Sequence, residues 1–262
     1  MLVLIRGAGD LATGVAIRLV HSGFSVALTD LPVPSAIRRT VAFSEAIRLG
    51  GATVEGVSAH RADSAGDALS LLSAGEIPVL ADETLSCLPL LHPDVLVDAI
   101  LAKRNTGTRI TQAPIVIGLG PGFTGGVDCH AAIETMRGHG LGRVYYSGSP
   151  LPNTGLPGEV GGQSAARLLR SPADGCFLPL MQIGDSVQAG DVVATVNGQP
   201  LTAAISGVLR GLLPEGFPAI AGLKSGDIDP RGNAQACFTV SDKARALGGA
   251  VLEAILHFHC FI

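Results

Sequence analysis

Short apolar runs alternate with amphipathic stretches and glycine turns through the first 150 residues. Residues 2–5 read as a short buried strand, followed by a glycine turn and a helix start, and residues 24–30 as a second strand ending in Asp30. Pro32 and Pro34 stop that strand from extending. Ser35 is an N-cap candidate for a helix over 36–49, which Gly50 and Gly51 would close. The pattern continues with a helix over 65–74, strands over 77–82 and 95–101, and a polar turn at 103–108. An apolar strand from Pro114 then runs into a glycine-dense loop ending at Gly126. Asp128 caps an amphipathic helix predicted over 129–136, and 142–146 makes a further strand. Strands alternating with helices predict an α/β region with an open, mostly parallel sheet over 1–150.

The pattern changes after residue 151. A Gly/Pro-rich connection containing Pro152 and Pro157 occupies 151–174, with a short helix near 163–169. Residues 175–240 alternate in the period of short strands, with a weak echo between 183–194 and 215–222 that suggests two similar β halves. A last helix over 241–257 begins the closing segment 241–262 and contains Gly248 and Gly249, each costing roughly 1 kcal/mol relative to alanine. Close approach of that helix to another backbone would explain them.

The first turn carries the most chemistry. Gly7, Gly9 and Ala12 fit the G-x-G-x-x-G/A fingerprint of a Rossmann-like nucleotide site. Gly7 would form the tight turn, Gly9 would admit a pyrophosphate, and Ala12 would let helix and strand pack closely. The N–H groups about Ala8 and Asp10 then face an anion, and Asp30 stands where a ribose-binding acid is expected. The alternative is a tight turn whose glycines serve packing alone. Asp10 complements the helix dipole in one reading and holds a metal ion or ligand amine in the other. Arg38 and Arg39, placed in the first turn of the predicted helix, either face a phosphate near Asp30 or pair with surface acids.

The second glycine loop, with Gly120 and Gly122, could form a nest of backbone N–H groups at the same strand ends. His130 and Glu134 would share a helix face four residues apart, as a weak acid–base candidate or an ordinary surface pair. Lys224, Asp227, Asp229 and Arg231 concentrate four charges in eight positions: the carboxylates could ligate a hard cation and the bases grip phosphate or another anion, or the four could form a solvated turn of salt bridges. His257, His259 and Cys260 have metal-ligand chemistry but lie at a terminus expected to fray, so no metal site is assigned.

Composition narrows the class. Of 262 residues, 15% are charged, against about 25% in ordinary soluble chains, and this poverty of charge points to a homo-oligomer. Net charge is −4 without a basic block, which argues against nucleic acid. No apolar run reaches the roughly 18 residues of a membrane helix, and the first residues do not read as a cleavable signal. Five scattered cysteines without a C-x-x-C pair suit reduced thiols and a cytoplasmic location.

Residues 183–194 and Ile205-Ser206-Gly207-Val208 resemble biotinyl/lipoyl barrel-sandwich domains, but the hinge Asn197-Gly198-Gln199-Pro200 offers no lysine, which excludes covalent biotin or lipoate there. Across essentially the whole chain, the sequence resembles the YqeB-type accessory proteins of selenium-dependent molybdenum hydroxylase systems. The resemblance rests on residues 6–14, 37–41, 54–57 and 120–123, then 128–131 with 133–135, 153–155, 226–231 and 241–244. It implies a role in maturing or supplying a molybdenum hydroxylase client, with a phosphate-bearing nucleotide or molybdopterin-type ligand in the Rossmann-like crevice. A small NAD-dependent oxidoreductase is the alternative, with His130 as its acid–base candidate. A scaffold that binds only protein is the third reading.

Overall fold

In the computed structural model, which describes residues 1–155 and 158–259, the chain divides into two compact units. The first comprises Met1–Pro34, Ala42–Thr154 and Val240–Ile262, and the second comprises Ser35–Val41 and Gly155–Thr239. The chain passes from the first unit to the second between Thr154 and Gly155. The predicted tail belongs to the first unit, and a seven-residue piece of the N-terminal region belongs to the second. Pro157 and Cys260 fall outside the described residues.

The first unit is built in the order β1 (Leu2–Arg6), α1 (Asp10–His21), β2 (Ser25–Asp30), α2 (Glu45–Leu49), β3 (Gly51–Val54), β4 (Val57–Ala62), α3 (Ala65–Ser73) and β5 (Ile77–Ala81). It continues with α4 (Leu88–Leu91), β6 (Val95–Asp98), β7 (Ile115–Leu119), β8 (Ala131–Ile133), β9 (Val144–Tyr145) and the closing helix α5 (Asp242–His259). Among the described residues these strands form one nine-stranded sheet, ordered β3-β4-β5-β2-β1-β6-β7-β8-β9. The seven strands from β4 to β8 pair in parallel, whereas β3–β4 and β8–β9 pair antiparallel at the two edges. The middle strands are apolar runs because both their faces are covered: Val3, Leu4, Ile5, Val95, Leu96 and Val97 are fully buried.

The second unit contains β10 (Leu168–Arg170), β11 (Gly175–Pro179), β12 (Ser186–Val187), β13 (Val192–Val196), β14 (Gln199–Thr202), β15 (Gly207–Leu212), β16 (Pro218–Ala219) and β17 (Lys224–Asp229). They make two four-stranded antiparallel sheets, β10-β17-β15-β12 and β14-β13-β11-β16, around a core that includes Phe177, Val193, Leu209 and Ile228.

This architecture corrects the expected Rossmann fold followed by a barrel-sandwich domain. The first unit is a large mixed sheet with an antiparallel pair at each edge, and no helix intervenes between β6, β7 and β8. The second is two separate antiparallel sheets. Two helices are also replaced. Residues 36–49 give only a 3-10 turn at Arg39–Val41 and the short α2, because Ile37 joins the second unit's core and its carbonyl accepts the Leu212 N–H at 2.8 Å. Residues 129–136 contain β8, whose three residues are buried against β7 and β9. The helix suggested near 163–169 is likewise absent, and β10 begins there instead.

The α1–α5 contact explains one of the paired glycines. A Cβ on Gly248 would stand 2.9 Å from the Arg18 Cβ and 3.0 Å from the Gly14 carbonyl oxygen, so the helices approach backbone to backbone. Gly249 meets nothing within 4 Å. We expect Gly248→Ala to destabilise the protein by about 1–3 kcal/mol through overpacking, and Gly249→Ala to stabilise it by up to about 1 kcal/mol through helix propensity. Denaturant unfolding of the two variants checks the opposite signs.

Candidate functional site

The parallel register brings the ends of β4, β5, β2, β1, β6 and β7 to one carboxyl edge of the first unit. The turn after β1 lies at its middle. There the Gly7 N–H donates to the Thr29 carbonyl at 2.8 Å, and the Ala8 N–H to the Asp30 carboxylate at 2.8 Å. The Ala8 carbonyl accepts the Ser44 N–H, and the Thr13 hydroxyl accepts the Phe43 N–H, so segment 43–44 braces the turn from outside. Ala8 and Ala12 are buried, as close strand–helix packing requires.

The two fingerprint glycines have different reasons to be glycine. Gly7 has φ +106°, and a Cβ there would stand 2.9 Å from the Ala99 carbonyl oxygen. The fold itself demands it. Gly9 precedes α1 at φ −67°, a conformation open to any residue, and a Cβ there would meet nothing within 4 Å. Neither backbone nor packing requires a glycine at that position. It caps α1 without a side-chain hydrogen bond, and the first N–H groups of a helix lack intrahelical acceptors. Asp10 lies in that first turn, where its charge complements the dipole.

Asp30 closes the other side of the turn. Burial raises its carboxyl above the ordinary value, while hydrogen bonds from the Leu31 and Ala8 N–H groups work in the opposite direction. Through the Ala8 bond, this carboxylate ties the end of β2 to the glycine turn.

The second glycine loop is spent on the fold. The N–H groups of Gly120, Gly125 and Gly126 donate to the carbonyls of Ile133, Gly148 and Cys129, and that of Thr124 to the Asp128 carboxylate. A Cβ on Gly120 would lie 2.9 Å from the Thr135 hydroxyl, and one on Gly122 would collide with the Arg104 backbone. These glycines let loops pack, and the expected nest of available donors is not formed by these N–H groups.

The remaining sequence candidates do not converge. Arg38 and Arg39 belong to the second unit and lie outside any α-helix. Arg38 is buried and donates to the Ala236 and Thr239 carbonyls, and Arg39 donates to the Leu212 carbonyl at 2.8 Å. His130 and Glu134 flank β8 rather than share a helix face, about 13 Å apart along an extended chain. The His130 Nδ1 accepts the Val116 N–H, and burial lowers its pKa; the Glu134 carboxylate accepts the Met136 and Leu151 N–H groups. His257 stacks on Tyr146 with ring centroids 4.0 Å apart. Among the described residues, no group of three or more His, Cys, Asp or Glu side chains could hold a metal ion, and no helix is long and apolar enough to cross a membrane.

The C-terminal charge cluster is split: its carboxylates Asp227 and Asp229 are buried in ion pairs, whereas Lys224 and Arg231 are exposed. Asp227 is 2% exposed and takes hydrogen bonds from Arg167 and Arg210, each at 2.6 Å. Asp229 is fully buried and accepts two bonds from the Arg231 guanidinium. Lys224 is exposed at the opposite end of β17, about 17 Å from Asp229.

One feature of the edge was missed in the sequence. A cleft of about 180 Å³ opens at the ends of β4 and β5, with Arg61, Asp63, Ser64, Asp82 and Ser86 among its polar lining. Asp82 accepts the Ser86 and Cys87 N–H groups, and burial together with Asp82 pushes the Cys87 thiol up to about 12, so it stays protonated at neutral pH. The available signal was Glu55-Gly56 between two β-type runs, which forms a hairpin turn with φ +50° and +81°.

No protein-family model matches the chain. Over 255 residues, 97% of the chain, it is 51% identical to the Uncharacterized protein YqeB of Escherichia coli (strain K12). The chain spans about half of that YqeB relative's length (47%), and the relative's name assigns no activity. Among solved structures, it is similar to an aspartoacylase family protein from Mesorhizobium loti, at 13% identity and a TM-score of 0.26, covering 87% of this chain and 83% of that one. A succinylglutamate desuccinylase/aspartoacylase from Rhodobacter sphaeroides is similar at 13% identity and a TM-score of 0.29, covering 87% and 85%.

The charge network generates two expectations. Asp227→Ala leaves Arg167 and Arg210 facing a buried gap and should cost about 3–5 kcal/mol in urea unfolding. Asp229 is held below its ordinary pKa, chiefly by the hydrogen bond from Arg231. The stability it contributes is therefore present above the unfolded value of about 3.9 and is lost as pH falls through the lower folded value. Unfolding measured across this acid range should show a smaller loss in Arg231→Ala than in the wild type.

Proposed function

We propose that this chain is a ligand-binding accessory factor of a molybdenum hydroxylase system, holding a phosphate-bearing nucleotide or molybdopterin-type ligand against the turn at residues 7–10. The observation that carries the reading is Gly9. It is a glycine that its own backbone angle does not need and beside which a side chain would find open space, at the N-terminal end of α1. A ligand passing close to the main chain supplies the missing reason, and the helix dipole favours a ligand with negative charge. The braced turn adds preorganisation, since Asp30 and segment 43–44 already fix its backbone.

A binding role also agrees with the chemistry around it. His130, the acid–base candidate of the oxidoreductase alternative, spends its Nδ1 on the Val116 N–H. The buried Cys87 and Cys129 thiols are both pushed up to about 12, which disfavours the thiolate needed of a nucleophile. The molybdenum hydroxylase client is drawn from the family resemblance of the motifs and not from the geometry.

Gly9→Val tests the reading. Its branched side chain has room within the protein but occupies the path of the ligand. We expect the variant to bind pyrophosphate at least about tenfold more weakly by calorimetry, a loss of about 1.4 kcal/mol, while it still unfolds cooperatively with the small loss of stability that a poorer N-cap brings. It should also fail to restore hydroxylase activity in a host lacking the wild-type protein. Equal pyrophosphate affinity in the folded variant refutes the site.

A further inference from the structure

We infer that the cleft at the ends of β4 and β5 is the second half of the binding site and takes a planar ring bearing adjacent N–H donors, a guanine- or pterin-type edge, attached to the phosphate at residues 7–10. This rests on the phosphate site proposed above and adds to it the class of group at the ligand's other end.

Register places the two halves. Arg6 pairs with Thr29, and Thr29 with Leu80, so the last residues of β1 and β5 lie two strands apart on one edge. At about 4.8 Å per strand that is about 10 Å, the span from a phosphate to the ring of a nucleoside monophosphate. Asp30, paired with Ala81, lies between them. The cleft volume of about 180 Å³ suits a fused two-ring heterocycle.

The lining selects the chemistry. Asp63, Ser64, Asp82 and Ser86 contribute polar lining to the cleft, and Leu80 and Ala81 contribute apolar lining. A carboxylate accepts two parallel N–H bonds, the geometry that a guanidinium presents and that the amino-oxopyrimidine edge of guanine or pterin presents equally. The Ser86 and Cys87 N–H groups fix the Asp82 carboxylate at 2.9 and 2.8 Å, one on each oxygen, and each oxygen keeps a further lone pair. Arg61, engaged with Asp63 and the Ile47 carbonyl, leaves the cleft electrostatically mixed, as a polar but uncharged ring requires.

The test compares pyrophosphate, GMP and neopterin phosphate by calorimetry on the full chain. Wild type should bind at least one ring-bearing probe about tenfold more tightly than pyrophosphate, and the tighter of the two identifies the ring. Ala81→Leu, at an exposed position lining the cleft, should abolish that advantage while pyrophosphate affinity stays within about twofold. Ser86→Leu, also exposed and lining, serves where Ala81→Leu does not fold. Equal affinities in the wild type, or an advantage that survives the cleft variant, overturn the cleft assignment while pyrophosphate binding leaves the phosphate site standing. Binding of none of the probes overturns both.

Discussion

The hydrogen bond from the Ala8 N–H to the Asp30 carboxylate is the constraint on which the working edge of the first unit depends. A chain leaving a buried parallel strand must turn sharply and present its next N–H groups somewhere. Here one is given to the carbonyl at the end of the neighbouring strand and one to a buried carboxylate. Because Asp30 is half of a two-sided arrangement, with its other oxygen taken by the Leu31 N–H, the turn and the end of β2 position each other. Remove the acid and the Ala8 N–H would be a buried donor without a partner, at a cost of about 1–3 kcal/mol. The turn is therefore built before any ligand arrives.

Glycine-rich loops look alike in a sequence because the letter reports only the absence of a side chain. Structure separates the causes. Gly7, Gly120 and Gly122 make room for the chain's own backbone or side chains, while Gly9 makes room for nothing the chain contains. A fingerprint match could find the turn, but only the contacts show which member of it is left over. The same distinction divides Gly248 from Gly249.

Much of the first unit was legible because its strands are apolar runs bounded by turn residues. The periodicity of 65–74, 77–82 and 114–119 emerges as α3, β5 and β7, and the long closing helix as α5. Legibility failed where a distant partner decides the local structure. Residues 36–41 have a helical pattern, yet Ile37 lies in a core formed by residues from 169 onward. His130 and Glu134 have helical spacing, yet Ala131, Ala132 and Ile133 are claimed by β7 and β9. The charges of 224–231 were legible as a group, but not the burial of Asp227 and Asp229, since Arg167 and Arg210 come from elsewhere in the chain.

The thread of the chain has a consequence for its biosynthesis. The guanidinium of Arg39 waits for the carbonyl of Leu212, 173 positions later, and α1 waits for α5 at the far end. Each unit is thus interrupted by the other: the second cannot close until Leu212 is made, nor the first until α5 is made. Loop-closure entropy must be met before these late contacts repay it, which slows folding and lengthens exposure of unpaired strands. Splitting the chain near residue 154 would therefore separate pieces that each lack part of their own unit.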